Sequence, residues 1–104
     1  MTANMTTGMV FLVDDDATVR RSLRRLLLTW DFQVEEFDSS EAFLGRAPFD
    51  GAACAVLDLM MPGLDGLALQ QRLTELGRSL PIVFLSGHGD VRSAARAFRG
   101  GAVD

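Results

Sequence analysis

Four short apolar runs alternate with amphipathic segments along the chain, and this alternation narrows the fold more than any other feature. The runs are Met9–Val13 (MVFLV), Phe32–Phe37 (FQVEEF), Ala52–Leu57 (AACAVL) and Ile82–Leu85 (IVFL). Each has the length of a β-strand, and the stretches between them carry apolar residues at helical spacing. Strand–helix alternation with short loops argues for a parallel sheet with helices on both faces. The run AACAVL is continuously apolar, as a strand covered on both sides should be. The run FQVEEF is half polar and interrupted by charge, which suits an edge.

The helices follow from caps and stripes. Asp16 can cap a helix over Ala17–Trp30 through its side-chain oxygen and the free amides of the first turn. Val19, Leu23, Leu26, Leu27 and Trp30 share one face of it. Arg20, Arg21, Arg24 and Arg25 fall largely opposite and read as a solvated face. Ser39 or Ser40 can cap a short helix carrying Phe43 and Leu44, followed by a loop from Pro48 to Gly51. Asp65 can cap the next helix, whose stripe is Leu69, Leu73 and Leu76 and which Gly77 ends. Gly87, His88 and Gly89 form a flexible loop. Asp90 caps a last helix containing Ala94, Ala95 and Phe98, stopped by Gly100 and Gly101.

Right-handed crossovers then limit the topology. A flavodoxin-like, doubly wound α/β sheet in the order 2-1-3-4-(5) fits, with the polar strand at an edge and the first and third strands central. Ile82–Leu85 is apolar enough to be central too. A fifth strand and a final helix are therefore expected beyond Asp104. Without them the edge of the fourth strand would be open, so self-association, as a homodimer or by segment exchange, is expected of this form.

The chain's 104 residues suffice for one domain, and 48% are apolar, enough for a single core. Residues 1–8 read as a flexible N-terminal tail and residues 9–104 as the domain. The net charge of −4 argues against direct nucleic-acid binding by this segment, or attraction to an anionic membrane, through a broad basic surface. All ten basic residues are arginine. Cys54, the one cysteine, can form no internal disulfide and is expected in the core. No targeting signal or membrane span is visible, so a cytoplasmic location is expected.

The chemistry gathers at the strand ends. Asp14, Asp15 and Asp16 follow the first strand and Asp58 follows the third. In a 2-1-3 order these strands are neighbours, and the order reverses between them. Ligands in open α/β sheets bind at that reversal, beyond the carboxyl ends of the strands. Asp14, Asp15 and Asp58 should converge there, while Asp16 caps its helix. Converging carboxylates repel one another, and Mg²⁺, an oxygen-loving dication, relieves the repulsion. An ionised aspartate beside it can attack phosphorus. Ser86 ends the fourth strand, where its hydroxyl can donate to a phosphoryl oxygen.

VDDD at Val13–Asp16, DLMMPGLDG at Asp58–Gly66 and SGHGD at Ser86–Asp90 resemble the signature blocks of response regulator receiver domains, the CheY-like superfamily. SGHGD and the terminal GGAVD are most similar to the FixJ-type branch. The resemblance implies a two-component signalling module rather than an enzyme. Asp58 would accept a phosphoryl group from a sensor histidine kinase, and the domain would support its own phosphotransfer and dephosphorylation. Asp14, Asp15, Asp58 and the backbone carbonyl of Met60 would hold Mg²⁺, and Ser86 would be the switch hydroxyl. His88 lies in the loop that tunes dephosphorylation in this family, and reads otherwise as an exposed loop residue. Members of this branch usually carry a C-terminal helix-turn-helix domain, so DNA would be bound outside this segment. The family's strand-five lysine has no counterpart, since the chain contains no lysine. Two other readings compete. A pseudo-receiver that only binds partners would lack a key carboxylate, and all three are present. A Mg²⁺-dependent phosphohydrolase of the haloacid dehalogenase type wants a second acid two residues after the nucleophile, where this chain has Met60.

Overall fold

The computed structural model describes residues 8–85. Its elements are β1 (Met9–Val13), α1 (Ala17–Thr29), β2 (Gln33–Phe37), α2 (Ser40–Leu44), β3 (Ala53–Asp58), α3 (Gly66–Glu75) and β4 (Ile82–Leu85). All strand pairings are parallel, in the order β2-β1-β3-β4. The expected order is thus observed through the fourth strand, with the half-polar strand at an edge. Of the expected tail over residues 1–8, Gly8 is described, its carbonyl accepting from Gln33 N at 3.0 Å; residues 1–7, Ser86, His88, the expected last helix and the expected fifth strand lie outside the described residues.

Side-chain alternation divides the sheet between two cores. Met9, Phe11, Val13, Ala55, Leu57 and Ile82 pack on one face against Phe43 of α2 and Leu69 and Leu73 of α3. Val10, Leu12, Val56, Val83 and Leu85 pack on the other against Leu23 and Leu27 of α1. Both central strands are buried on both faces, as their continuously apolar sequences require.

Caps set the helix boundaries. The Asp16 carboxylate accepts from the Thr18 and Val19 amides, and Asp65 accepts from Ala68 N at 2.9 Å. Ser39 resolves the open choice of cap for α2, accepting from Ala42 N at 3.1 Å. Gly77, at φ +72°, and Arg78 close α3 by donating to the Thr74 and Leu73 carbonyls. This is the Schellman arrangement, which favours glycine because of its positive φ.

Several boundaries differ from the sequence reading. α1 ends at Thr29, with Trp30 as its C-cap, and β2 begins at Gln33. Leu76 leaves the predicted stripe because α3 stops at Glu75, and it is 56% exposed. Cys54 is half-buried rather than core, and that burial pushes its thiol up to about 11. β3 runs one residue further than its apolar stretch, to Asp58, because pairing with β4 continues to Asp58 opposite Leu85. Asp58 therefore sits on the last rung of the sheet rather than after the strand.

Candidate functional site

Strand register brings the acids together. Val13 lies opposite Leu57, so Asp14 and Asp58 are the next residues along two adjacent parallel strands. Asp15 follows directly. One carboxylate oxygen from each of Asp14, Asp15 and Asp58 lies within 4.8 Å of the others. Asp14 is buried, Asp58 half-buried and Asp15 exposed, so the cluster grades from the sheet edge to solvent.

The surrounding hydrogen bonds fix each acid differently. Asp14 Oδ1 accepts from the Asp16 amide at 2.8 Å. The Asp14 amide donates to the Phe37 carbonyl of the edge strand at 3.1 Å. Arg20 Nη1 donates to the Asp14 carbonyl at 2.6 Å, while its Nε reaches Glu36 at 3.2 Å. Asp58 Oδ1 accepts from the Met60 amide at 2.9 Å, a bond that closes the first turn of the loop. Burial, and then the negative charges of Asp58 and Asp15, raise the Asp14 carboxyl to about 6 against the lowering effect of the Asp16 amide. A buried carboxyl raised beside two other acids is a group short of positive charge.

Gly66 explains how closely the loop folds. A Cβ there would lie 2.6 Å from the Asp58 carbonyl oxygen, inside van der Waals contact. Only glycine lets the start of α3 press against the end of β3.

The donor set fits a hard dication. It offers oxygens alone, gathered within 4.8 Å of one another, and a hard dication takes oxygen ligands. Of the residues singled out in the sequence, Asp14, Asp15 and Asp58 are brought together. Met60 enters through its amide, with its residue 74% exposed at the rim. Arg20, on the arginine face expected to be solvated, braces the Asp14 backbone, and nothing local in the sequence marks that role. Ser40 was also missed as a site residue. Its hydroxyl donates to the Leu64 carbonyl at 2.7 Å, across the loop that follows Asp58.

Residues 10–104 match the profile of the response regulator receiver domain. This chain belongs to that family. The receiver is 43% identical over 99 residues to the transcriptional regulatory protein FixJ of Bradyrhizobium diazoefficiens, covering 95% of this chain and 48% of FixJ. It is 42% identical over 99 residues to nodulation protein W of the same organism, covering 95% of this chain and 44% of that protein. It is 45% identical over 95 residues to the transcriptional regulatory protein TdiR of Thauera aromatica, covering 91% of this chain and 42% of TdiR. The receiver thus spans less than half the length of these relatives. Among solved structures, it aligns with the N-terminal part of FixJ at a TM-score of 0.75 and 40% identity, covering 96% of this chain and 80% of that one. Alignment with the response regulator StyR gives a TM-score of 0.72 and 46% identity, covering 91% and 48% of the two chains. The receiver is therefore a two-component signalling module of the CheY-like fold. No helix among the described residues is long and apolar enough to cross a membrane.

Proposed function

We propose that Asp58 is the phosphoacceptor of this receiver and that Asp14, Asp15, Asp58 and the Met60 carbonyl hold Mg²⁺. One observation carries the reading: three carboxylates converge within 4.8 Å at the reversal point of a receiver-family sheet. Asp58 is the acid best placed to react. It ends a strand, it is only half-buried, and the Met60 amide restrains its carboxylate. When bound, Mg²⁺ supplies positive charge against the negative charge that builds on a transferring phosphoryl group.

The transfer is a displacement. A carboxylate oxygen of Asp58 attacks phosphorus in the phosphohistidine of a sensor kinase. The phosphorus–nitrogen bond breaks, the imidazole leaves, and Asp58 becomes an acyl phosphate. The Ser86 hydroxyl is assigned to a phosphoryl oxygen. The domain's own carboxylates support the transfer and the later hydrolysis of the acyl phosphate, in which water releases inorganic phosphate, so the module acts as an acceptor and switch. Two relatives are named as transcriptional regulatory proteins, and the matched segment forms less than half of each. This supports a transcriptional output carried by a further domain outside residues 1–104.

The test is phosphorylation by acetyl phosphate with Mg²⁺, read by intact mass, in a chain continued past Asp104 through the expected fifth strand. One base-labile phosphoryl group should appear and be absent from Asp58→Ala. No mass gain in the parent, or an undiminished gain in Asp58→Ala, refutes the assignment.

A further inference from the structure

Ser40 is the first residue of α2 and only 1% exposed. Buried hydroxyls are retained where they satisfy a specific partner. The capping duty at this helix belongs to Ser39, so Ser40 is not needed for it. Its hydroxyl instead donates to the Leu64 carbonyl, 24 residues away in sequence. Leu64 lies in the connection between Asp58 and the Asp65 cap of α3.

Among the described residues that connection has other anchors too, including the Leu64 side chain packed against the core. At its start the Met60 amide holds Asp58 Oδ1, and the Leu59 amide donates to the Leu85 carbonyl at 3.0 Å. In its middle the Met61 side chain is buried in the same core as Phe43. Ser40 supplies the side-chain hydrogen bond that ties its far half to a neighbouring element. The corner between β2 and α2 therefore grips both sides of the acidic cluster. The Phe37 carbonyl holds the Asp14 amide, and the Ser40 hydroxyl holds the Asp58 loop.

We propose that Ser40 is a positioning residue for the phosphoacceptor: its hydroxyl, bonded to the Leu64 carbonyl, fixes the loop that aims Asp58. The proposal rests on the phosphoacceptor reading above. Ser40 touches neither Asp58 nor a phosphoryl group and acts through the backbone. Small misplacements of a reacting group lower rates steeply. Asp14 keeps its own tether to Phe37. Loss of the Ser40 hydroxyl should therefore slow the chemistry more than it weakens the metal.

The experiment follows acetyl phosphate labelling of the full-length protein against Mg²⁺ concentration. Ser40→Ala is expected to lower the saturating rate about three- to tenfold. Its Mg²⁺ half-saturation should rise by less than the rate falls, because Asp58 and Met60 sit on the loosened loop while Asp14 and Asp15 remain in place. Leu27→Val, in the opposite core, should lose thermal stability yet keep the parent rate at a temperature where both are folded. If Ser40→Ala does not fold, Ser40→Cys, similar in size with a weaker donor, takes its place with the same expectation. A parent-like rate in the folded Ser40 variant overturns the proposal, as does an equal loss in Leu27→Val. If the parent takes no phosphoryl group, the phosphoacceptor reading fails, and this one with it. If the parent is labelled and the Ser40 variant matches it, only the role of Ser40 fails.

Discussion

Replacing Asp14 by Asn should stabilise the metal-free protein, and the gain should depend on pH. The Asp14 carboxyl is raised to about 6 from an ordinary 3.8, chiefly by burial and then by Asp58 and Asp15. The folded state thus holds the Asp14 proton more tightly than the unfolded chain does. Between about pH 4 and pH 6 it binds more protons, so stability falls as pH rises through that window. Above about pH 6 the whole cost is present. At about 1.4 kcal/mol per pH unit, the gap between 3.8 and about 6 corresponds to roughly 3 kcal/mol. An Asn at this position carries no charge to desolvate. It does weaken the bond from the Asp16 amide, a loss of about 1 kcal/mol or somewhat more. The net gain expected above pH 6 is about 1–2 kcal/mol, shrinking to nothing or reversing near pH 4. Urea denaturation in EDTA from pH 4 to 8 measures it, and the difference between parent and variant cancels the other titrating groups. With a slope of about 1–1.5 kcal/mol per molar urea for a domain of this size, the midpoint should move by roughly 1 M at pH 7. Added Mg²⁺ should then raise the parent's midpoint by mass action and the variant's far less. A difference that does not vary with pH, or a variant less stable at pH 7 in EDTA, would refute the electrostatic account.

Gly66→Ala places a Cβ 2.6 Å from the Asp58 carbonyl oxygen, and backbone must move to admit it. A loss of about 1–3 kcal/mol is expected by urea denaturation, together with weaker Mg²⁺ stabilisation because Asp58 is displaced. On α3, Leu69→Ala should cost about 2–5 kcal/mol, since Leu69 is fully buried. Leu67→Ala, two residues earlier and 58% exposed, should change stability by no more than about 0.5 kcal/mol. Similar midpoints for these two variants would contradict the assignment of the buried face.

Much of this protein is legible in its sequence. The alternation of apolar runs with capped amphipathic segments determines a parallel α/β sheet, because strand and helix periods differ and each cap residue satisfies specific free amides. The polarity of FQVEEF places β2 at an edge. Asp14, Asp15 and Asp58 could be named because residues following neighbouring parallel strands must meet at the carboxyl end of a sheet. Tertiary structure alone decided the rest. The β3–β4 ladder draws Asp58 into the sheet, although the apolar run stops at Leu57. The end of α3 leaves Leu76 in solvent despite its position in the stripe. Arg20 and Ser40 show the limit most clearly. An arginine on a polar helix face and a second serine beside a cap carry no local sign of a long-range partner. Their bonds to the Asp14 and Leu64 carbonyls exist only because folding brings distant backbone within reach. Register and capping are written locally, so they can be read from the chain. The bracing of the acidic site depends on where side chains arrive after packing, and that is settled only in three dimensions.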